Sequence, residues 1–351
     1  MSIRWFKRLS ASSPSGEGMN TALLDAMKEA PGVARQSLLP NGSVLRPARI
    51  KDGVRIQALV NEHASKGLML PRSLNQVYQS IREFTVVEHD GELQGCGALQ
   101  LAWDDLAEIR SLAVDPKWQG AGIGRAIVES LLAQAEELGV PRVFALTYQG
   151  GFFAKLGFRP IERSELPRKI WVDCIDCLKF PHCDEEAFIV DLPNRGGRPR
   201  QDGVRKALVA DVPEMAEIIN HHAANGRMLP RALSHLYRNL RDFWVFSEEE
   251  HVIACGALHV LWEDLGEIRA VAVAPERIGR GFGSAVVEAL IAEGRALGLP
   301  RLFAFTYEKG FFSRFGFRVV DKESLPRKVW GECLDCPKFP NCDELAMVLD
   351  L

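Results

Sequence analysis

Residues 44–192 can be laid on residues 203–351 without a gap at a constant offset of 159, and roughly 45% of the aligned positions are identical. Glu108-Ile109-Arg110 returns as Glu267-Ile268-Arg269, Tyr148 as Tyr307, Trp171 as Trp330 and Cys183 as Cys342. A repeat of this length restricts the fold to two copies of one domain, each about 150 residues, an ordinary domain size. The domains are therefore expected at 44–192 and 203–351. Residues 193–202 are polar and rich in Gly and Pro, as a linker is. Residues 1–43 are punctuated by Ser, Gly and Pro and read as a flexible tail, with at most a short helix around Thr21–Lys28.

Composition narrows the function. With 47% apolar and 25% charged residues the chain is a soluble globular protein that can bury real cores. A net charge of −3 gives no electrostatic attraction to nucleic acid or to an anionic membrane. No apolar run approaches the ~18 residues of a membrane span. The basic start Met1–Arg8 lacks an apolar core and so is no secretory signal; an organellar transit peptide is the alternative. Six of the eight cysteines stand in two C-x2-C-x5-C groups, which points to a reduced, cytoplasmic setting.

Within the first copy, apolar periodicity and turn residues predict a definite order. Val44–Ala48 reads as a strand. Asp52 is a candidate N-cap for a helix with Ile56, Leu59, Val60 and His63 on one face, and Ser73 for a second with Leu74, Val77, Tyr78 and Ile81. Phe84–Glu88 and Leu93–Leu101 read as strands about His89-Asp90-Gly91. Glu108–Val114 is a further strand, followed by Gln119-Gly120-Ala121-Gly122-Ile123-Gly124 and a helix from Arg125 carrying Ile127, Leu131, Ala135 and Leu138. Arg142–Thr147, a short helix Gly151–Leu156 and a last strand Ala187–Asp191 complete the unit. Strand, glycine loop and helix N-terminus together make an anion site, because unpaired amides and the helix dipole point the same way. No Lys-Ser or Lys-Thr follows the glycines, so the loop is not a Walker loop. Helix continues where a dinucleotide fold would place its acidic residue.

The order Q-x-x-G-x-G between a strand ending in L-A-V and an amphipathic helix resembles the acetyl-CoA pyrophosphate loop of the GNAT N-acetyltransferases. The element order matches as well. The resemblance implies an α/β (α+β) fold: two tandem GNAT domains, each a mixed, mostly antiparallel sheet flanked by helices. More closely, M-L-P-R-S (69–73), F-T-V-V-E-H-D-G (84–91), A-E-I-R-S-L-A-V (107–114), R-V-F-A-L-T (142–147), F-F-A-K-L-G-F (152–158) and E-L-P-R-K-I-W (165–171) resemble the acetyltransferase domain of short-form bacterial N-acetylglutamate synthases. The tandem arrangement departs from that family.

The reaction so implied is attack of an amine on the acetyl-CoA thioester. An α-amine with a pKa of about 8 arrives mostly protonated and needs a base. Glu108 matches the family's base, and Glu267 is its copy; the alternative is that Glu108 pairs with Arg110 or another charge across the sheet. The main chain of Leu112, Ala113 and Val114, and of Val271, Ala272 and Val273, would face pantetheine and the thioester carbonyl. Gly120, Gly122 and Gly124, flanked by Gln119 and Arg125, would hold the pyrophosphate. In copy 2 Gly279, Gly281 and Gly283 survive, while Gln119 becomes Ile278 and Arg125 becomes Ser284. The tyrosine acid of many GNAT enzymes is replaced by Phe153 and Phe312. A hydroxyl at Thr147 or Tyr148, and at Thr306 or Tyr307, would take its place; Tyr148 could equally wall the acyl pocket. For a dicarboxylate acceptor, Arg72 and Arg231 match the family's carboxylate-binding arginine, with Lys169 and Lys179 as further candidates.

Cys174, Cys177 and Cys183 form C-x2-C-x5-C, repeated as Cys333, Cys336 and Cys342. Three thiolates could hold zinc with a fourth ligand, Asp184 or Glu185 and their copies Asp343 or Glu344; the alternatives are reduced structural cysteines or a redox pair. Cys96 and Cys255 sit in apolar strands and read as core. The expected activity is acetyl-CoA-dependent acetylation of the α-amine of L-glutamate, the first step of arginine biosynthesis, at two competent sites with copy 1 better formed. Another small amine, a protein N-terminus, or a non-catalytic acetyl-CoA or metal sensor are the alternatives. The partner is a small molecule; an oligomer is left open.

Overall fold

The computed structural model describes residues 35–167, 183–193, 199–326, 329, 331, 338 and 341–351. The expected helix near Thr21–Lys28, together with Lys169, Lys179, Cys174, Cys177, Cys333 and Cys336, lies outside them.

The first copy runs β1 (Ser37–Leu38), β2 (Val44–Pro47), α1 (Gly53–Ser65), α2 (Leu74–Gln79), β3 (Phe84–His89), β4 (Glu92–Trp103), β5 (Leu106–Val114), α3 (Ile123–Leu138), β6 (Arg142–Thr147), α4 (Gly150–Ala154), β7 (Arg159–Ile161) and β8 (Glu186–Asp191). The second repeats this as β9 (Gly203–Lys206), α5 (Val212–Ala224), α6 (Leu233–Arg238), β10 (Phe243–Glu248), β11 (His251–Trp262), β12 (Leu265–Val273), α7 (Phe282–Leu297), β13 (Arg301–Thr306), α8 (Lys309–Ser313), β14 (Arg318–Val320) and β15 (Leu345–Asp350). The sheets are ordered β1-β2-β3-β4-β5-β6-β8-β7 and β14-β15-β13-β12-β11-β10-β9. All neighbours are antiparallel except β5–β6 and β12–β13. This is the GNAT fold, twice.

Three local expectations change. Ser37–Leu38, within the stretch expected to be tail, pairs with β2 because a tight turn at Gly42 (φ +81°) folds the chain back on itself. The strand Arg159–Ile161, too short to show a period, adds an edge to the first sheet. Asp52 does not cap α1 through its side chain. Its carboxylate accepts bonds from Arg46 Nη1 and Nη2 at 2.7 and 2.9 Å, and Arg46 also donates to Glu88 at 2.9 and 2.7 Å. A buried guanidinium matches two carboxylates better than a helix end matches one. Ser73 does cap α2: its Oγ accepts from the Gln76 amide at 3.2 Å, and the Gln76 side chain accepts from the Ser73 amide at 2.9 Å.

The two copies pack about a pseudo-two-fold axis. Helix α2 of the first lies on β11 of the second, and α6 lies on β4. Tyr78 meets Trp262 edge-on with centroids 5.4 Å apart, and its counterpart Tyr237 meets Trp103 at 5.2 Å. The Tyr78 hydroxyl also donates to Glu263 Oε2 at 2.9 Å. Beside these rings is a buried ionic cluster. Arg82 Nε donates to Glu293 Oε1 at 2.9 Å and Arg82 Nη1 to Asp242 Oδ1 at 3.1 Å. Lys206 Nζ donates to the same Glu293 oxygen at 2.8 Å, and Trp244 Nε1 to the other at 2.8 Å. Burial pushes the Lys206 amine down to about 8 despite Glu293 beside it. At offset 159 the first copy has Pro47, Gln134 and Thr85 in place of Lys206, Glu293 and Trp244, and there Gln134 Nε2 donates to Thr85 Oγ1 at 2.9 Å. One copy satisfies the position with charges, the other with neutral groups.

Glu293→Gln leaves Lys206 and Arg82 buried beside a neutral amide. Breaking a buried ion pair from one side costs about 3–5 kcal/mol, so the urea midpoint should fall markedly; a midpoint within error of wild type would show that the cluster contributes no stability.

Candidate active site

The cleft begins as a fault in the sheet. On β4 and β5, Cys96 is opposite Ala113 and Ala98 is opposite Arg110, so Gly97 faces two residues, Ser111 and Leu112. Such a two-against-one bulge bends the strand. Ser111 takes φ +52° and its counterpart Ala270 takes φ +53°, a left-handed conformation that costs a residue with a Cβ about 1–2 kcal/mol. Gly97 is required opposite it, since a Cβ there would stand 2.7 Å from Ile127 Cγ2. The thiols of Cys96 and Cys255 donate to the Ser111 and Ala270 carbonyls at 3.7 and 4.0 Å. These cysteines are core, as expected, with burial pushing both thiols up to about 12; they also brace the bulge.

Just ahead of the bend β5 leaves its parallel neighbour. Their pairing covers only Ala107↔Val143 and Glu108↔Phe144, and in the second copy Gly266↔Leu302 and Glu267↔Phe303. Glu108 and Glu267 thus stand at the last paired position, where the sheet opens, each partly buried. Leu112–Val114 and Val271–Val273 continue beyond it, along the free edge.

The glycine loop follows. Gly120 and Gly122 both have φ +82°, and Gly279 and Gly281 have +84° and +92°. Helices α3 and α7 begin at Ile123 and Phe282, two residues before the expected start at Arg125 in copy 1. Gly124 and Gly283 therefore belong to the first helical turn, not the loop, and a Cβ on Gly124 would stand 3.4 Å from Phe152. Gln119 and Arg125 are exposed at the loop's ends, Gln119 Nε2 donating to the Val114 carbonyl at 3.3 Å and Arg125 pairing with Glu129 at 3.3 Å.

Across the cleft lies the arm between α1 and α2. Its backbone is clamped at Arg72: the amide donates to Asn61 Oδ1 at 2.8 Å, and Asn61 Nδ2 donates to the Arg72 carbonyl at 3.0 Å. Asn220 clamps Arg231 the same way, at 2.9 and 3.0 Å. Arg72 Nε donates to Ser111 Oγ at 3.2 Å, so the arginine reaches the bulge itself. Neither Asn61 nor Asn220 was a sequence candidate; their recurrence at the repeat offset was the signal that could have found them.

At the far wall, Thr147 Oγ1 accepts from the Gln149 amide, and Thr306 Oγ1 from the Glu308 amide, both at 2.9 Å. This leaves each threonine's own proton to be donated elsewhere. Tyr148 instead gives its proton to Asp184 Oδ1 at 2.6 Å, and Tyr307 to Asp343. Burial and the Asp343 bond raise the Tyr307 phenol above its ordinary value. Lys338, the counterpart of Lys179, donates to the Tyr307 hydroxyl and lies 4.5 Å from the ring centre. It was not a candidate in copy 2, although the repeat pointed to it.

In the second copy these parts line one cleft of about 1530 Å³, which includes every copy-2 candidate from Arg231 and Glu267 through Val271–Val273 and the three glycines to Thr306 and Tyr307. Cys183 and Cys342 donate to Glu185 and Glu344 at 3.6 and 3.7 Å. Among the described residues no group of three or more metal-ligating side chains converges; the other cysteines of each trio lie outside those residues. Among the described residues, too, no helix is long and apolar enough to cross a membrane.

The acetyltransferase (GNAT) family matches residues 62–158 and 214–317, more than half of the chain and once in each copy. An uncharacterized N-acetyltransferase of Chlorobaculum tepidum is 41% identical over 148 residues, covering 42% of this chain and 96% of its own length. An amino-acid acetyltransferase of Mycobacterium tuberculosis is 44% identical over 131 residues, 36% of this chain and 75% of its own. Among solved structures, N-acetylglutamate synthase from Neisseria gonorrhoeae complexed with coenzyme A and N-acetyl-glutamate has 32% identity and a TM-score of 0.40, over 43% of this chain and 35% of that one. With the family matched in both halves, the chain belongs to the acetyltransferase (GNAT) family and is an N-acetyltransferase.

Proposed function

We propose that each copy transfers the acetyl group of acetyl-CoA to the α-amine of L-glutamate, as the first step of arginine synthesis in the cytoplasm. The observation that carries the reading is the second copy's cleft, where the glycine loop, the carboxylate of Glu267 and the clamped Arg231 share one surface. The amino-acid acetyltransferases among the relatives support the acceptor class.

In this reading acetyl-CoA lays its pyrophosphate on the amides of the glycine loop and helix start, where the dipole favours an anion. Pantetheine runs along the free edge of β5 or β12, pairing with Leu112–Val114 or Val271–Val273. Glu108 or Glu267 takes a proton from the ammonium, and the freed amine attacks the thioester carbon. The oxyanion that forms is met by a main-chain amide just past the bulge. Collapse expels the CoA thiolate. The second proton shed by the attacking nitrogen passes to it through the hydroxyl of Thr147 or Thr306, which gives up its own proton as it takes the other, that proton being uncommitted to the capped amide. Tyr148 and Tyr307, whose protons are engaged by aspartates, serve better as pocket walls. Arg72 or Arg231 pairs with a substrate carboxylate, and Lys338, like its counterpart Lys179, stands for the second. Zinc at the cysteine trios is not part of the mechanism.

Glu108→Gln with Glu267→Gln should lower turnover by about 10²-fold or more while CoA binding, read by calorimetry, is nearly unchanged. Full turnover in the double variant removes these carboxylates from the mechanism.

Arg72→Ala with Arg231→Ala should raise the glutamate KM strongly and leave that for acetyl-CoA alone, because a lost charge-assisted partner costs about 2–5 kcal/mol. Glutamine and aspartate should be poorer acceptors than glutamate, the first lacking the second charge and the second one methylene short. CoA release no faster with glutamate than with glutamine, lysine or buffer refutes the acceptor, and an amine that does release CoA then identifies another.

Gly281→Ala puts a Cβ on a residue at φ +92° with nothing within 4 Å of it. The strain should weaken CoA binding to the second site and leave the first intact, giving one tight and one weak site by calorimetry; two equal sites would separate the loop from CoA binding.

A further inference from the structure

The ionic cluster between the copies leads directly to the second copy's carboxylate. Arg269, two residues on from Glu267 and on the same face of β12, brings Nη1 to 3.6 Å from Glu267 Oε2. Asp242 stands at the next step. It accepts from Arg82 of the first copy at 3.1 Å, shares a bond of 3.0 Å with His259 Nδ1, and feels the charge of Arg269. Burial opposes its ionised form, yet the His259 bond and the charges of Arg82, His259 and Arg269 hold its carboxyl below the usual range. The side chains of Arg82, Asp242 and Arg269 are each about nine-tenths buried. In so dry a setting a charge is felt beyond its immediate partner.

The first copy is wired differently. Its Arg110, the counterpart of Arg269, donates to Glu83 Oε2 at 3.1 Å. Glu83 aligns with Asp242 and is one methylene longer, which lets it reach across to that arginine. Arg241, the counterpart of Arg82, brings its charge to Glu83 from the other copy. The shorter Asp242 is held by Arg82 and His259, and Arg269 lies against Glu267.

We propose that Arg82 is a positioning residue for the opposite copy: by holding Asp242 across the interface, it keeps the guanidinium of Arg269 directed at Glu267 and so sets the charge that base experiences. The inference rests on Glu267 being the base. Other groups contribute to that field. His259 is opposite Glu267 on β11, and Phe303 on β13 is apolar. Arg227 and Arg231 enter from the arm. Lys338, Asp343 and Glu344 face the cleft from the segment before β15, with Lys322, Glu323 and Glu308 at its rim. Glu293 and Lys206 stand behind Arg82. Of these, only His259 also touches Asp242, so its imidazole is the second route by which Arg82 is felt at Glu267.

The test uses the full chain carrying Glu108→Gln, so that only the second site turns over. CoA release from acetyl-CoA is followed against pH with L-glutamate, or with whichever amine of the panel above releases CoA. Arg82→Gln leaves Asp242 free to draw Arg269 away, so the acid limb of kcat/KM should move up by about half a unit to one unit. Asp242→Asn frees Arg269 for Glu267, so the limb should move down by a similar amount. Arg82→Lys keeps the charge and should stay within a few tenths of the parent. Loss of packing alone would lower turnover in both neutral variants without moving the limb in opposite directions. Limbs that coincide, or move the same way, overturn the proposal. Should Arg82→Gln not fold, Asp242→Asn decides alone: a limb that stays or rises overturns it. A limb that vanishes in His259→Gln assigns the titration to that imidazole and overturns it too. Glu267→Gln in the same background separates the two levels: activity that survives it refutes the base itself, whereas loss of activity with an immobile limb refutes only the role of Arg82.

Discussion

The cleft depends on one strained residue in each copy. Ser111 and Ala270 stand in the left-handed region in the middle of a strand, a place where a side chain is normally excluded. They stand just beyond the point where β5 and β12 part from the neighbouring parallel strand, whose pairing ends at Glu108 and Glu267. The site is arranged about that divergence and the bulge that follows it. A carboxylate stands at the fork, free main-chain groups run beyond it, and the glycine loop meets the strand's end. The strain persists because surrounding groups over-determine it: a glycine on the facing strand, a buried thiol against the bulge carbonyl, and in copy 1 the bond from Arg72 to Ser111 Oγ.

Duplication has made one molecule of what would otherwise be a pair. The contacts across the axis recur with a switch of roles, Tyr78 on Trp262 and Tyr237 on Trp103, as they would in a symmetric dimer. Fusion frees the halves to diverge. Where the first copy holds Gln134 on Thr85, the second holds Glu293 on Lys206, Trp244 and Arg82. Mixing the two sets would bury a charge without its partner. The rims differ too. Arg227 pairs with Glu308 at 3.1 Å in the second copy, where the first has Leu68 and Gln149. That pair is too exposed to add much stability, but it changes the charge an acceptor meets on entry.

The arms show how little side-chain machinery a positioned arginine needs. A single asparagine on α1 satisfies both the amide and the carbonyl of Arg72, and its repeat does so for Arg231. The backbone is fixed and the guanidinium is left to be directed by its surroundings. In copy 1 it is turned to the bulge; in copy 2 Arg231 lies 3.3 Å from His235 Nε2.

By itself the sequence determined the duplication, the order of elements, the loop and its glycines, and the strand that carries Glu108. These are properties of local period and of residues such as Gly120 and Gly122 whose backbone needs are visible without neighbours. It also marked Ser73 as a cap, since a capping box lies within four residues. What it could not determine were the partners of long charged side chains. Asp52 had the right place for a cap, yet Arg46, on the strand just before it, claimed it together with Glu88 from β3. The fork at Glu108, the clamp by Asn61 and the route from Arg82 through Asp242 to Arg269 join residues far apart in the chain or in different copies. Only tertiary structure decided them, because burial leaves each charge to whichever opposite group is close enough to replace water.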